Sequence, residues 1–504
     1  WMPRMQAIHE IHFPTTPEML ANAKQRLIYD ELFLMQVLLA GQKAKLQQEV
    51  KPQHYQLNQD LVSRFLSKLP FTLTYAQEKV IREIQEDLSN PAPMNRLLQG
   101  DVGSGKTVVA LVAMLIAIDN GYQSALMAPT EILAQQHFAT INTLLRDSGL
   151  DIEVILLIGG MKSSQKKIAL GRIQSNPKSI IIGTHALIQE RVQFSRLAFA
   201  TIDEQHRFGV MQRHLLRKKG WMPDVLVMTA TPIPRTLAMT VYSDLDISVL
   251  DELPPGRLPI ETQWFTDEER EMLYTFLREK LKNQHQIYLI YPLIEESDKL
   301  ELRAALQMYQ HLQRDIFPEY HLGLLHGRMK ESEKQQIMSE FISGKIQLLV
   351  STTVVEVGVD VANATVMVVE HADRFGLAQL HQLRGRVGRG TQQSYCILVT
   401  HRNITDGAQA RMQVMIATTD GFKIAEEDLK WRGPGELIGT AQHGIPLLRL
   451  ADLLRDFKLL QQAKNDAVAI IAADPILSLP EHHQLRLEML RFKHTGKTEL
   501  VKVA

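Results

Sequence analysis

The stretch LLQGDVGSGKTVVALV, residues 97–112, places Gly100, Gly105, Lys106 and Thr107 in the spacing Gly-x4-Gly-Lys-Thr, between an apolar run and a helix-forming one. Glycines at 100, 103 and 105 let backbone N–H groups turn inward around a phosphate, and the helix that follows points its positive end at the same anion. Lys106 would reach the β- and γ-phosphates of a nucleotide, and the Thr107 hydroxyl would ligate Mg²⁺. Taken alone, such a loop fits a kinase, a GTPase, a transporter or a motor.

Further stretches narrow the chemistry. In AFATIDEQH, residues 198–206, an apolar strand ends in two acids: Asp203 would hold the metal, and Glu204 would orient and deprotonate an attacking water. MTATPIPRT offers Thr229 and Thr231 as hydroxyls that could link the acids to movement of a second domain. Upstream, LPFTLTYAQ supplies Phe71 as a stacking surface for a base and Gln77 as an amide able to read an adenine edge. Downstream, QLRGRVGRG sets Arg386 and Arg389 three residues apart, which predicts one side of a helix. An inserted arginine stabilises the charge on a transferring phosphoryl group and contributes about 10³ to 10⁵ in rate. Gly358 and Asp360 in STTVVEVGVDV could touch the nucleotide from the same side. The nucleotide site would then lie between two domains.

Positioning these residues requires strands that end side by side. Short apolar runs recur at 124–128, 179–183, 197–202 and 225–228, separated by helical segments, which indicates a parallel α/β sheet. LPPGRLP, residues 253–259, has three prolines and a glycine, so it continues neither a helix nor a central strand and reads as a linker. Beyond it the alternation resumes at 287–291, 346–351, 365–370 and 395–399, giving a second α/β domain and then a more helical tail. Near the start, Thr16-Pro17-Glu18 reads as an N-cap and first turn of a long amphipathic helix carrying Ala23, Leu27, Leu34 and Leu38. Residues 51–60 read as a polar stretch.

At 504 residues the chain has room for roughly three domains. Lysine plus arginine equals aspartate plus glutamate at 56 each, so an anionic partner must be held by local patches rather than by a global field. The single cysteine, Cys396, excludes an internal disulfide and a four-cysteine zinc site, suits a reducing cytoplasm, and reads as a buried strand residue. The longest apolar run, Val108 to Ile118, falls short of the roughly eighteen residues needed to span a bilayer, so no membrane partner is expected.

The ordered set GDVGSGKT, APTE, GTH, DEQH, TAT, VEVGVD and QLRGRVGR resembles that of superfamily 2 helicases and translocases, over about Phe71 to Thr400. The resemblance implies two tandem RecA-like parallel-sheet domains that bind ATP between them. It also implies that loops at Pro129, Thr130, Gly183, Thr184, Thr352 and Thr353 contact a nucleic-acid backbone, a task suited to hydroxyls and backbone N–H groups.

A closer resemblance is to the RecG family, carried by LVMTATPIPRTLAMTVYSDLDISVLDELPPGR and by DLKWRGPGELIGTAQHG. It implies an ATP- and Mg²⁺-dependent translocase on duplex DNA that remodels stalled forks and Holliday junctions, with Arg432 and Gln442 coupling hydrolysis to movement. It further implies a cytoplasmic monomer, with a single-strand-binding protein as partner in the full-length family. Where that family has an arginine before the glutamine, this chain has Ala441; its N-terminal wedge domain has no room before Phe71, and the chain starts at Trp1, so a motor fragment is expected. The expected architecture is an N-terminal helical segment over 1–68, an ATP-binding lobe over 69–255, a second lobe over 256–400 and a helical module over 401–504. Two other readings stay open: an RNA helicase of the same superfamily, and an ATP-binding scaffold without turnover.

Overall fold

The computed structural model describes residues 1–57, 60–204, 215–216, 219–220, 222–230, 234, 245–292, 298–352, 361–388, 390, 392–432, 448–452 and 455–494; for 46, 47, 298–304, 331, 432 and 492–494 it describes the backbone alone. Thr231, Thr353, Gly358, Asp360, Arg389 and Gln442 lie outside the described residues, as does the side chain of Arg432.

Two parallel sheets form the centre of the molecule. The first contains β1 (Asn95–Gly100), β2 (Gln123–Met127), β3 (Glu153–Leu157), β4 (Ser179–Gly183), β5 (Leu197–Ile202), β6 (Asp224–Thr229) and β7 (Asp246–Leu250), in the order β3-β4-β2-β5-β6-β1-β7. The second contains β8 (Glu261–Thr266), β9 (Gln286–Tyr291), β10 (Leu322–Leu325), β11 (Leu348–Thr352), β12 (Ala364–Val369) and β13 (Tyr395–Thr400), in the order β10-β11-β9-β12-β13-β8. Every strand of β2, β4, β5 and β6 is buried along its length, because helices cover both faces. The proline-rich linker runs between β7 and β8 and separates the sheets.

Helices α1 (Arg4–His12), α2 (Pro17–Gln48), α3 (Asp60–Ser67), α4 (Tyr75–Ser89), α5 (Lys106–Asp119), α6 (Glu131–Asp147) and α7 (Ser163–Ser175) belong to the first half of the chain. In the second half, α8 (Arg270–Lys282), α9 (Asp298–His311), α10 (Glu331–Ile342) and α11 (Leu377–Arg384) lie in the second lobe. They are followed by α12 (Asp406–Ala417), α13 (Gly421–Arg432), α14 (Phe457–Ala473) and α15 (His483–His494). Helix α5 is apolar all round, with Val108 to Ile118 fully buried between the sheet and α3 and α4; it is the core's largest single contribution. Each such Val, Leu or Ile contributes about 1.5–3 kcal/mol on burial. Cys396 is a buried strand residue, as its neighbours predict.

Two packing arrangements were not legible in the sequence. The stretch 51–55 is an anchored strap rather than a polar loop: Lys51 Nζ lies 2.9 Å from Asp224 Oδ1, Tyr55 OH donates to Asp224 Oδ2 at 2.8 Å, and the Met94 N–H donates to Asp224 Oδ1 at 2.6 Å. Burial raises the Asp224 carboxyl, against the charge of Lys51. Second, α2 and α14 share one apolar core through Leu32, Met35, Leu460, Ala463 and Ala467, so the two ends of the chain form one helical unit. The predicted cap of α2 is in place, with the Met19 N–H donating to Thr16 Oγ1 at 3.1 Å. Among the described residues, no helix is long and apolar enough to cross a membrane.

Candidate active site between the lobes

The sheet order gathers the candidate residues. Strands β5, β6 and β1 are neighbours, and their C-terminal ends carry Asp203, Thr229 and Gly100, the position at which open parallel sheets bind ligands. The phosphate loop follows β1 and leads into α5 through Gly105, which has φ +85°. A side chain there would also overlap Gln77, so the glycine meets a conformational and a steric demand together. Lys106 Nζ donates to the carbonyls of Gly100 at 2.7 Å and Asp101 at 2.9 Å, and Thr107 is half-buried at the start of α5.

Gln77 differs from expectation. Its Oε1 accepts from the Thr74 N–H at 2.9 Å in a capping box, and its Nε2 donates to the Ser104 carbonyl at 2.9 Å, so the amide first ties α4 to the phosphate loop. One N–H and one oxygen lone pair remain for a base edge. Phe71 is 42% exposed, as a stacking surface must be.

The acids are buried and electrically distinct. Burial alone would raise Asp203, but a hydrogen bond from His137 Nε2 at 2.7 Å, with the charges of His137 and Lys106, holds it below the ordinary carboxylate range. Burial, reinforced by the charge of Asp203, raises Glu204 to about 6, against the pull of Lys106 and Arg386 and a hydrogen bond from the Ala230 N–H. Glu204 also sits at φ 53°, a left-handed conformation rare outside glycine. A buried acid raised to about 6 beside a second acid held ionised can serve chemically as a general base next to a metal-holding carboxylate. The donor set of the Thr107 hydroxyl and the Asp203 carboxylate is hard oxygen, which fits a Mg²⁺ ion that takes its remaining ligands from phosphates and water.

The turn of the second lobe that carries Arg386 meets the phosphate loop: Gly385 packs on Val102, and Arg257 bonds both the Val102 and the Gly388 carbonyls. That turn is not the element the spacing predicts: α11 ends at Arg384, and Gly385 and Arg386 form the turn beyond it, so Arg386 is not on the helix. Gly388, at φ +76°, turns the chain again beyond Arg386. Arg384 itself is buried and holds the Met415 and Thr418 carbonyls, each at 2.9 Å.

The other half of the first sheet's edge carries the candidate backbone-contact residues. Strands β2 and β4 are neighbours, and the Ala128 N–H donates to the Gly183 carbonyl at 2.8 Å, which sets Pro129–Thr130 beside Gly183–Thr184. Thr130 caps α6, accepting from the Leu133 N–H at 3.3 Å. Thr184 and Thr352 are buried at strand ends, and their hydroxyls have no hydrogen-bond partner among the described residues. His137 lies two turns along α6 from Thr130 and escaped sequence reasoning, because its partner Asp203 is distant along the chain.

Two α/β lobes with a phosphate loop, an acidic strand end and an arginine from the facing lobe define a two-lobed helicase-type ATPase motor. The DEAD/DEAH box helicase model matches residues 74–240, the helicase conserved C-terminal domain 268–391, and the ATP-dependent DNA helicase RecG domain 3 C-terminal model 418–499. The chain is 49% identical over 488 residues to the ATP-dependent DNA helicase RecG of Bacillus subtilis, covering 96% of this chain and 71% of that one. It is 48% identical over 485 residues to the RecG of Synechocystis, covering 96% of this chain and 58% of that one. A RecG structure bound to a three-way DNA junction matches with a TM-score of 0.74 at 44% identity, covering 90% of this chain and 59% of that one. The chain belongs to the RecG family of ATP-dependent DNA helicases, and it spans about three fifths to three quarters of the length of these relatives.

Proposed function

We propose that this chain hydrolyses ATP in the cleft between its lobes and converts each cycle into movement along duplex DNA, remodelling branched structures such as stalled forks and Holliday junctions. One observation carries the reading: the second lobe meets the phosphate loop of the first directly, with His381 Nε2 2.7 Å from Asp101 Oδ1 and Val102 packed on Gly385, the residue before Arg386. A site assembled from two lobes couples hydrolysis to their opening and closing.

In this mechanism Phe71 stacks on the base, Gln77 reads its edge, and Lys106 binds the β- and γ-phosphates. Glu204 takes the proton of the attacking water, its raised pKa matching general-base work near neutrality. Arg386, together with Arg389, stabilises charge on the transferring group. Thr107 and Asp203 would hold Mg²⁺, which would neutralise phosphate charge when bound. Pro129, Thr130, Gly183, Thr184, Thr352 and Thr353 track the DNA backbone, with Thr229 and Thr231 relaying between the acids and the second lobe. Arg432 and Gln442 couple closure to movement. The working divisions are 1–68, 69–255, 256–400 and 401–504, in a cytoplasmic monomer, with single-strand-binding protein as a partner of the full-length family.

The test is phosphate release measured with forked DNA, duplex DNA and RNA. Forked and duplex DNA are expected to stimulate release by at least about tenfold. Equal stimulation by RNA would favour an RNA helicase, and binding of ATP without release would favour a scaffold.

A further inference from the structure

The proline-rich linker does more than join the lobes. Gly256, at φ +86°, turns the chain so that Arg257 enters the cleft instead of pointing to solvent. Its Nη1 donates to the Val102 carbonyl of the phosphate loop at 2.8 Å, and its Nε donates to the Gly388 carbonyl of the second lobe at 2.8 Å. The guanidinium lies over Gly103, where a Cβ would overlap it.

Two further contacts join the same loop to the second lobe. His381 Nε2 on α11 donates to Asp101 Oδ1 at 2.7 Å, while the Asp101 Oδ1 also accepts from the Val102 N–H at 2.6 Å. The Val102 side chain packs on Gly385, where a Cβ would come within 2.8 Å of it. Loop residues 101, 102 and 103 are thus each met by residues outside the first lobe's sheet: His381, Gly385 and Arg257.

We infer that Arg257 is a positioning residue for ATP hydrolysis: by bonding Val102 in the phosphate loop and Gly388 in the turn that carries Arg386, it sets Arg386 against the phosphates when the lobes close. Both acceptors are main-chain carbonyls, so the fork reads loop conformation and not side-chain identity. The planar guanidinium bonds two acceptors in a fixed geometry, which a lysine ammonium on its flexible stem does not reproduce. The inference rests on the ATPase function proposed above.

The experiment is a double-mutant cycle in kcat between Arg257→Ala and Arg386→Ala, with ATP binding measured separately by equilibrium titration of a fluorescent ATP analogue. If Arg257 acts by placing Arg386, each single variant loses about tenfold or more in kcat, and the double variant loses no more than about twofold beyond Arg386→Ala. Losses that multiply would overturn the inference, because Arg257 would then act independently of Arg386. Arg257→Lys guards against a folding artefact: it keeps stem and charge, and it must show a smaller loss with the same non-additivity, whereas a multiplicative loss again overturns the role. An unsubstituted chain that binds ATP and hydrolyses it while the losses multiply leaves the proposed function standing without this inference. An unsubstituted chain that binds no ATP removes both.

Discussion

The two lobes are built on the same parallel-sheet plan but deliver their functional groups differently. In the first, Gly100, Asp203 and Thr229 sit at the ends of three adjacent strands, so ladder register alone fixes their spacing. In the second, Arg386 sits in a turn beyond α11, and its place depends on contacts made outside the sheet. A group on a strand end is preorganised before the lobes meet, whereas a group on a turn is positioned by their meeting. The first lobe therefore suits binding, and the second suits timing. Within the first lobe the same logic divides the sheet edge, with β5-β6-β1 ending at the proposed nucleotide site and β2-β4 presenting the Pro129 and Gly183 loops.

Substitutions can break this contrast. The largest effect is expected from Lys106→Ala, which removes the first lobe's cation from the phosphates; phosphate release should fall by about 10³ or more, with nucleotide binding weakened in parallel. Glu204→Gln should lower turnover by about 10² to 10⁴ while a fluorescent ATP analogue still binds, and loss of binding would make Glu204 a structural residue. Asp224→Asn tests the strap: leaving Lys51 charged and buried should cost about 3–5 kcal/mol and lower the melting temperature by on the order of 10 °C. Because Glu204 is raised to about 6 in the free chain, it gains a proton as pH falls through that value and ceases to act as a base, so kcat/KM should drop on the acid side of pH 6 and be flat above it. The smallest effects belong to Thr184→Val and Thr352→Val, which remove buried hydroxyls without partners among the described residues. Stability should hold or rise by about 1 kcal/mol while DNA affinity weakens a few fold, as expected of single backbone contacts.

The same division explains what the sequence could disclose. The strand runs at 179–183 and 197–202 match β4 and β5 residue for residue, because a strand buried on both faces must be continuously apolar. The phosphate loop and acid pair were legible for a related reason, since their spacing along the chain is their geometry. Edge strands β3, β7, β8 and β10 went unnoticed; the first three are only partly buried, so their composition is mixed, and β10 is four residues long and interrupted by a glycine. The turn at Gly385–Arg386 was read as helix, because a three-residue spacing says nothing about the glycine that ends the helix. His137, Arg257 and His381 were missed because their partners, Asp203, Val102 and Asp101, are distant in sequence. Lys51 and Asp224 formed a buried pair that composition could only describe as polar.

The central claim is that the second lobe completes a site the first lobe only prepares, and the kinetics of Arg386→Ala with saturating forked DNA test it most directly. The account predicts a kcat lowered by at least about tenfold with the KM for ATP changed by no more than a few fold, the signature of a charge used mainly in the transition state. An unchanged kcat with a raised KM would contradict it and leave Arg386 as a contact that merely helps to bind nucleotide.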